Sequence, residues 1–195
     1  TVTWLQSIAK SKNVAIIGSL VVKESNQYYN RLLFVYPSGE INKYDKRHLF
    51  TLAGEDKVYT AGNERLIVDY LGFKICPLIC YDLRFPVFSR NTENYDLMLY
   101  VANCPKPREN AWEILLKIRA VENQCFVIGV NRVGLDNNNH EYVGHSQAVD
   151  FSGNYLLAPQ NNESVFIVTI DKNEMIAMRK KLDFLADRDV FSFSK

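Results

Sequence analysis

The sequence predicts a mixed α/β fold in which a sheet is packed with helices. Strand and helix patterns alternate in the middle of the chain, whereas strand patterns adjoin directly at both ends. In the middle part, residues 73–80 form a nearly continuous apolar run, which is typical of a strand buried on both faces. The length of 195 residues, with no internal repeat or linker, favours a single domain over residues 1–195.

The first half of the chain predicts one helix followed by strands. Trp4, Leu5, Ile8 and Ala9 share a helical face, and the helix is expected to end near Asn13. The β-branched and aromatic runs that follow predict strands at residues 14–22, 29–36, 41–44, 65–70 and 73–80. A Leu-Gly pair between the last two predicts a hairpin.

The second half predicts helices separated by strands. Trp112 and Leu116 recur with helical period, and Asp171 is a candidate cap for a last helix that reaches about Lys181. The asparagine-rich stretch 131–142 is expected to be an exposed or mobile loop. The remaining predictions are helices at 84–93 and 109–123 and strands at 96–101, 125–130, 145–151, 155–157 and 165–170.

Composition excludes several classes of protein. The hydrophobic fraction of 47% and charged fraction of 23% are ordinary for a soluble globular chain. A net charge of +1 favours neither nucleic acid nor an anionic membrane surface as a partner, and no apolar run is long enough to predict a membrane span. Without a secretory signal, the four cysteines predict reduced thiols in a cytoplasmic protein.

Cys80 is the first candidate for chemistry. It ends the apolar strand and precedes Tyr81, Asp82 and Arg84, with Asp82 a candidate helix cap. A thiol at a strand-to-helix turn projects from a rigid base, and the next backbone N–H, that of Tyr81, can hold an oxyanion. The alternative is that Cys80 is a small buried apolar residue.

Other polar residues gain interest only near Cys80. Lys46 would lower the pKa of the thiol and could hold an oxyanion, although alone it is interpreted as a solvated lysine. Glu55 could orient that ammonium or assist proton transfer. Asn103 and Asn131 each follow an apolar strand, where parallel-sheet sites gather, but turn formation explains them equally well.

Two further pairs of residues are explained by structural roles. Arg119 and Glu122 lie three apart on the helix 109–123, so they pair locally or position the Cys80 turn. Cys104 and Cys125 are interpreted as packing residues.

Neither a metal site nor a papain-like site has a distinctive motif. Cys76 and Cys80 lie on one side of a strand, but no Cys-x-x-Cys or His-x-x-x-His spacing completes a set of ligands, so no metal is predicted. A Cys–His pair stays open as an alternative, with His48, His140 and His145 as candidates.

The motifs taken together resemble the nitrilase, or carbon–nitrogen hydrolase, superfamily, and most closely its bacterial omega-amidase branch. They occur in order along nearly the whole chain. They are YDKRHLF at 44–50, GE at 54–55, ICYDLRFPVFSR at 79–90, YVANCP at 100–105, RAVENQ at 119–124, NRVG at 131–134 and GHS at 144–146.

The resemblance implies a fold and a site. The fold would be an α-β-β-α sandwich that pairs sheet to sheet in a homodimer, and no cofactor would be required. In a Glu–Lys–Cys site, Cys80 would be the nucleophile, Lys46 the lysine and Glu55 a second, supporting glutamate. The family's general-base glutamate lies in a Pro-Glu motif before the lysine, and nothing before Lys46 matches that motif.

The start of the sequence bears on this gap. It has no initiator methionine and begins inside a predicted helix. We expect the family's first strands, and the base with them, to lie upstream of Thr1.

The function implied is hydrolysis of a small-molecule amide, 2-oxoglutaramate, to ammonia and 2-oxoglutarate. Arg84, Asn103 and Asn131 are candidates for its pocket. The alternatives are a deaminated-glutathione amidase, an N-carbamoyl hydrolase, or an inactive relative that serves as a scaffold.

Overall fold

Two main sheets and three α-helices form the architecture of residues 1–193, which are the residues that this computed structural model describes. The helices are α1 (Val2–Lys12), α2 (Glu109–Asn123) and α3 (Lys172–Lys181). The strands are β1 (Ile16–Glu24), β2 (Gln27–Val35), β3 (Ile41–Asp45), β4 (Val68–Tyr70), β5 (Phe73–Ile79), β6 (Leu97–Ala102), β7 (Phe126–Asn131), β8 (Val133–Leu135), β9 (Glu141–Val143), β10 (Ser146–Val149) and β11 (Tyr155–Gln160).

The two main sheets differ in the relative direction of their strands. The first is antiparallel, in the order β1-β2-β3. The second has six strands in the order β11-β10-β7-β6-β5-β4, and β5, β6 and β7 at its centre are parallel. The carboxyl ends of parallel strands meet at one sheet edge, so the residues that follow β5, β6 and β7 lie close together.

The layers follow the α-β-β-α arrangement. On one face of the six-stranded sheet, Ile75, Leu97 and Phe126 pack with Phe34 of β2, which joins the two sheets. Successive strand residues face opposite sides, so their neighbours Cys76, Met98 and Val127 face α2 and pack in the cluster that contains its Leu116. On the far side of the three-stranded sheet, α1 contributes Ala9 to a cluster with Leu33 and Val35.

Helix α2 approaches its sheet closely at Gly129 of β7. A Cβ atom there would lie 2.5 Å from a methyl group of Leu116 and 2.7 Å from the Trp112 ring. A side chain at residue 129 would force these two side chains to shift, so glycine allows α2 to pack closely against β7.

Most predicted elements are confirmed. The predicted hairpin is β4 and β5, and helix 109–123 is α2. The last helix is α3, whose cap is Asp171: its carboxylate accepts the Asn173 N–H at 2.8 Å.

The predicted helix at 84–93 is wrong. The chain forms a short 3₁₀ turn at Cys80–Arg84 and then irregular turns. Pro86 has no N–H to donate and disfavours a helical conformation at Phe85, whose φ and ψ are −111° and 89°. Asp82 is therefore not the cap of a helix but the third residue of the 3₁₀ turn.

Two other predictions need correction. Residues 165–170 form no strand, although the exposed Val165 and Ile167 alternate with the half-buried Phe166 and Val168. The strand-like alternation is present, but no described strand forms a ladder with it. The stretch 131–142 is not all loop, because β8 and β9 pair as a short antiparallel hairpin that begins in it and ends at Val143.

None of the helices described is long and apolar enough to cross a membrane.

Candidate active site

Cys80 stands where the central strand β5 gives way to the 3₁₀ turn Cys80–Arg84. Its backbone φ is 41°, a left-handed conformation that side chains other than glycine rarely adopt. Such a residue costs about 1–3 kcal/mol and persists only where its surroundings determine it. Tyr81 is the second residue of the turn, so its backbone N–H has no hydrogen-bond partner within the turn.

Lys46 reaches the same place from the other sheet, because it directly follows β3. Its side chain is only 2% exposed, and its Nζ donates to Glu55 Oε2 at 2.6 Å. The backbone is held on both sides, since the Lys46 N–H donates to Asn30 O and the Gly62 N–H donates to Lys46 O. The ammonium therefore has a defined position and direction.

Glu55 supports the lysine. The Oε2 atom that accepts from Lys46 also accepts the Phe50 N–H, at 2.8 Å. This second bond holds the carboxylate in place and leaves the ammonium two further donors for another group.

Asp82 joins the two segments that carry Lys46 and Cys80. Its carboxylate is fully buried and accepts the Tyr44 hydroxyl at 2.7 Å, the Ile79 N–H at 3.0 Å and the His48 N–H at 3.1 Å. The His48 Nδ1 lies 2.8 Å from the same carboxylate. The end of β3 and the end of β5 are thus tied to one buried group.

Arg119 and Asn131 hold the turn and the neighbouring loop from behind. Arg119 pairs with Glu122 at 2.8 Å, and it also donates to Leu83 O at 2.6 Å, so both interpretations of this pair hold. The Asn131 amide accepts the Cys104 N–H and donates to Cys104 O. All of its hydrogen bonds therefore position backbone.

A cavity of about 70 Å³ opens beside Cys80. It brings together Cys80, Lys46, Glu55, Tyr81, Arg84 and Asn103 among the predicted site residues. Asn131 does not line it. Cys104 packs in the core, as expected, and also lines the cavity.

Burial governs the Cys80 thiol. Removal from water raises its pKa to about 11, against the opposing charge of Lys46 and a hydrogen bond from the Asn103 backbone. The positive charge of Lys46 therefore favours the thiolate but does not by itself produce it at neutral pH.

The histidines have other partners. His48 lies beside Asp82 and stacks on Phe85 with 3.7 Å between ring centroids, while His140 lies beside Asp136 and His145 contacts Glu113. None of the three lines the cavity. In residues 1–193 no three His, Cys, Asp or Glu side chains are grouped as a metal site would require.

Sequence reasoning missed Arg108, which lines the cavity from the turn before α2, and it missed the role of Asp82. Both depend on contacts across more than thirty residues of sequence, which no local pattern reveals. The sequence Lys-Pro-Arg-Glu at 106–109 does not indicate whether the arginine side chain points toward the cavity.

The chain belongs to the carbon–nitrogen hydrolase family, whose profile matches residues 1–180. It is an enzyme of the carbon–nitrogen hydrolase type, as the motifs predicted.

Two relatives share much of its sequence. Over 191 residues it is 42% identical to the omega-amidase YafV of Escherichia coli K12, a match that covers 97% of this chain and 75% of the relative. Over 189 residues it is 35% identical to the 2-oxoglutaramate amidase of Bacillus subtilis, and this match covers 95% of this chain and 73% of the relative.

A solved structure shows the same fold. The crystal structure of XC1258 from Xanthomonas campestris, a CN-hydrolase superfamily protein with an arsenic adduct in its active site, superposes with a TM-score of 0.97. The two sequences are 41% identical, and the match covers 99% of this chain and 76% of the other.

We predict that Asp82→Asn weakens both the fold and the site. The amide replaces one acceptor oxygen by a donor that faces N–H or O–H groups, and each buried donor left without a partner costs about 1–3 kcal/mol. Urea unfolding should show that loss, and ammonia release should fall by about tenfold or more because Lys46 and Cys80 lose their common tether. Asp150→Asn is the control, since Asp150 accepts the N–H groups of Ser152 and Asn154 in an exposed turn. Equal effects of both substitutions on activity would contradict this role of Asp82.

Alkylation of Cys80 should depend steeply on pH. Because its pKa is raised to about 11, the thiolate is scarce near pH 7, and the rate with iodoacetamide should rise about tenfold per pH unit below the pKa. Lys46→Met removes the charge that lowers this pKa, so it should slow labelling at every pH below the pKa, whereas Lys57→Met, at an exposed lysine, should not. Peptide mapping gives the site of modification. Preferential labelling of Cys104, or a labelling rate of Cys80 that is flat between about pH 7 and 10, would contradict the assignment of Cys80 as the reactive thiol with a raised pKa.

Proposed function

We propose that this enzyme hydrolyses the ω-amide of a small 2-oxo dicarboxylic monoamide of the 2-oxoglutaramate type, and that the reaction passes through a thioester on Cys80. The observation that carries the proposal is the convergence on one cavity of a strained Cys80 and a buried Lys46 that is paired with Glu55. The omega-amidase of Escherichia coli and the 2-oxoglutaramate amidase of Bacillus subtilis support the choice of substrate.

The first half of the reaction would form the thioester. The Cys80 sulfur, once deprotonated, attacks the amide carbonyl, and its oxygen becomes an oxyanion held by the Lys46 ammonium and the Tyr81 N–H. The tetrahedral intermediate then collapses, the C–N bond breaks, and ammonia leaves after its nitrogen gains a proton.

The second half would release the acid. Water adds to the thioester carbonyl through the same oxyanion geometry, the C–S bond breaks, and the thiol recovers its proton. Glu55 orients Lys46 in both halves, because its Oε2 already accepts from Lys46 and from Phe50. We assign proton transfer to the general-base glutamate that the family resemblance implies; no Pro-Glu motif occurs before Lys46.

A panel of substrates tests this function. Ammonia release from 2-oxoglutaramate should exceed release from deaminated glutathione and from an N-carbamoyl amino acid. Cys80→Ala should abolish it, and Lys46→Met should lower kcat about 10²–10³-fold because one oxyanion donor is lost. Cys76→Ala and Cys125→Ala are the controls, since both thiols are fully buried elsewhere and should affect only stability. Folded protein that turns over none of these compounds would favour the scaffold alternative instead.

We also propose that the enzyme is a cytoplasmic homodimer. Outside the core, α2 exposes Ile114, Ile118 and Val121 along one face, at four- and three-residue spacing. A second copy meeting this face would bury it. This agrees with the homodimer that the family resemblance implies, but it places helices at the contact instead of the sheets. Four free cysteines suit a reducing compartment.

Substitution on α2 tests the dimer. Ile118→Asp places a charge in the interface and should shift the mass measured by light scattering from dimer to monomer, whereas Val190→Asp, at a fully exposed position, should not. A monomeric wild-type protein would refute the proposed homodimer. Cell fractionation tests the compartment.

A further inference from the structure

Two arginines at the cavity, Arg84 and Arg108, differ from the other arginines described. Neither guanidinium donates to a carboxylate or to a backbone carbonyl within residues 1–193. Every other arginine of that part of the chain does so: Arg31 binds Asp45, for example, and Arg132 donates to Leu135 O. A planar fork of N–H donors that binds neither a carboxylate nor a carbonyl group is a site suited to an anion.

Both guanidiniums lie close to the catalytic groups. Arg84 ends the 3₁₀ turn that begins at Cys80, and Arg108 stacks over the Phe50 ring with 4.6 Å from guanidinium carbon to ring centroid. Phe50 donates its N–H to Glu55, so one residue supports both the lysine pair and Arg108. Burial raises the pKa of Cys104, and the charge of Arg108, a hydrogen bond from its side chain and the charge of Arg84 oppose that rise, which places both arginines near this wall of the cavity.

The charge of the cavity is positive. Its lining contains three cations, Lys46, Arg84 and Arg108, and Glu55 is the one carboxylate. Glu55 is already paired with Lys46 at 2.6 Å. The positive charge of the two arginines therefore remains uncompensated near the thiol. Around the half-buried Arg108, the lower dielectric strengthens the attraction for an anion.

We infer that Arg108, together with Arg84, binds a carboxylate at the far end of the substrate while Cys80 attacks its amide. This inference rests on the proposed function and deepens it: it assigns recognition of the substrate's second carboxyl group to Arg108 and makes Arg108 a residue that determines specificity. Arg108 is half-buried and stacked, so it supplies orientation, whereas the exposed Arg84 adds charge at the mouth.

A matched pair of substrates tests the inference. Glutaramate and pentanamide share a chain length and a primary amide but differ in whether a carboxylate or a methyl group ends the chain. Arg108→Gln should lower kcat/KM for glutaramate about 10–100-fold, the effect of a charge-assisted hydrogen-bonded pair, and leave pentanamide within about threefold. Arg108→Lys should fall between, because it keeps the charge and loses the fork. Arg84→Gln should show the same selectivity with a smaller loss.

Arg132→Gln is the matched control, since it removes the same charge from an exposed arginine that does not line the cavity. This substitution should leave kcat/KM unchanged for both glutaramate and pentanamide. Equal losses of glutaramate and pentanamide turnover in Arg108→Gln, or no loss of either, would overturn the inference.

A binding measurement separates this inference from the proposed function. Isothermal titration calorimetry should show that glutarate binds to the Cys80→Ala variant. The double variant Cys80→Ala/Arg108→Gln should bind glutarate at least about tenfold more weakly. Unchanged glutarate binding would overturn the carboxylate site even if the amidase reaction stands. If no amide is hydrolysed but glutarate binding depends on Arg108, the proposed reaction fails and the anion site survives.

Discussion

The site depends on one buried carboxylate, that of Asp82. Lys46 follows a strand of the three-stranded sheet and Cys80 follows a strand of the six-stranded sheet, so no single sheet fixes the distance between them. Asp82 accepts from Tyr44, His48 and Ile79, which flank both residues. A buried charge is tolerated only when it is fully hydrogen-bonded, and here those hydrogen bonds are the link between the sheets.

The same carboxylate helps to keep Cys80 in its strained conformation. A φ of 41° is unfavourable, and the turn relaxes unless both of its ends are held. Asp82 binds the Ile79 N–H just before the thiol, and Arg119 binds the carbonyl oxygen of Leu83 just after it. The thiol consequently projects into the cavity from a backbone that has little freedom to move.

Electrostatics in this cavity works in two opposing directions. Burial suppresses the thiolate of Cys80, whereas Lys46 favours it, and burial has the larger effect. The same removal from water makes the Lys46 ammonium more effective toward an oxyanion, because its attraction is screened less. In the proposed reaction, such a site would keep Cys80 protonated at rest and stabilise negative charge as it develops on the substrate.

Local patterns in the sequence determined most of the secondary structure and pointed to Cys80. The apolar run before Cys80, the helical period of Trp112 and Leu116, and the cap at Asp171 depend on neighbouring residues, so they could be predicted. Lys46 and Glu55 followed from family motifs rather than from periodicity. Tertiary structure decided the rest. Residues 165–170 alternate like a strand but form no ladder, because a strand also needs a neighbour. Asp82 and Arg108 acquire their positions from partners distant in sequence, and only the packing of the two sheets and α2 brings those partners together.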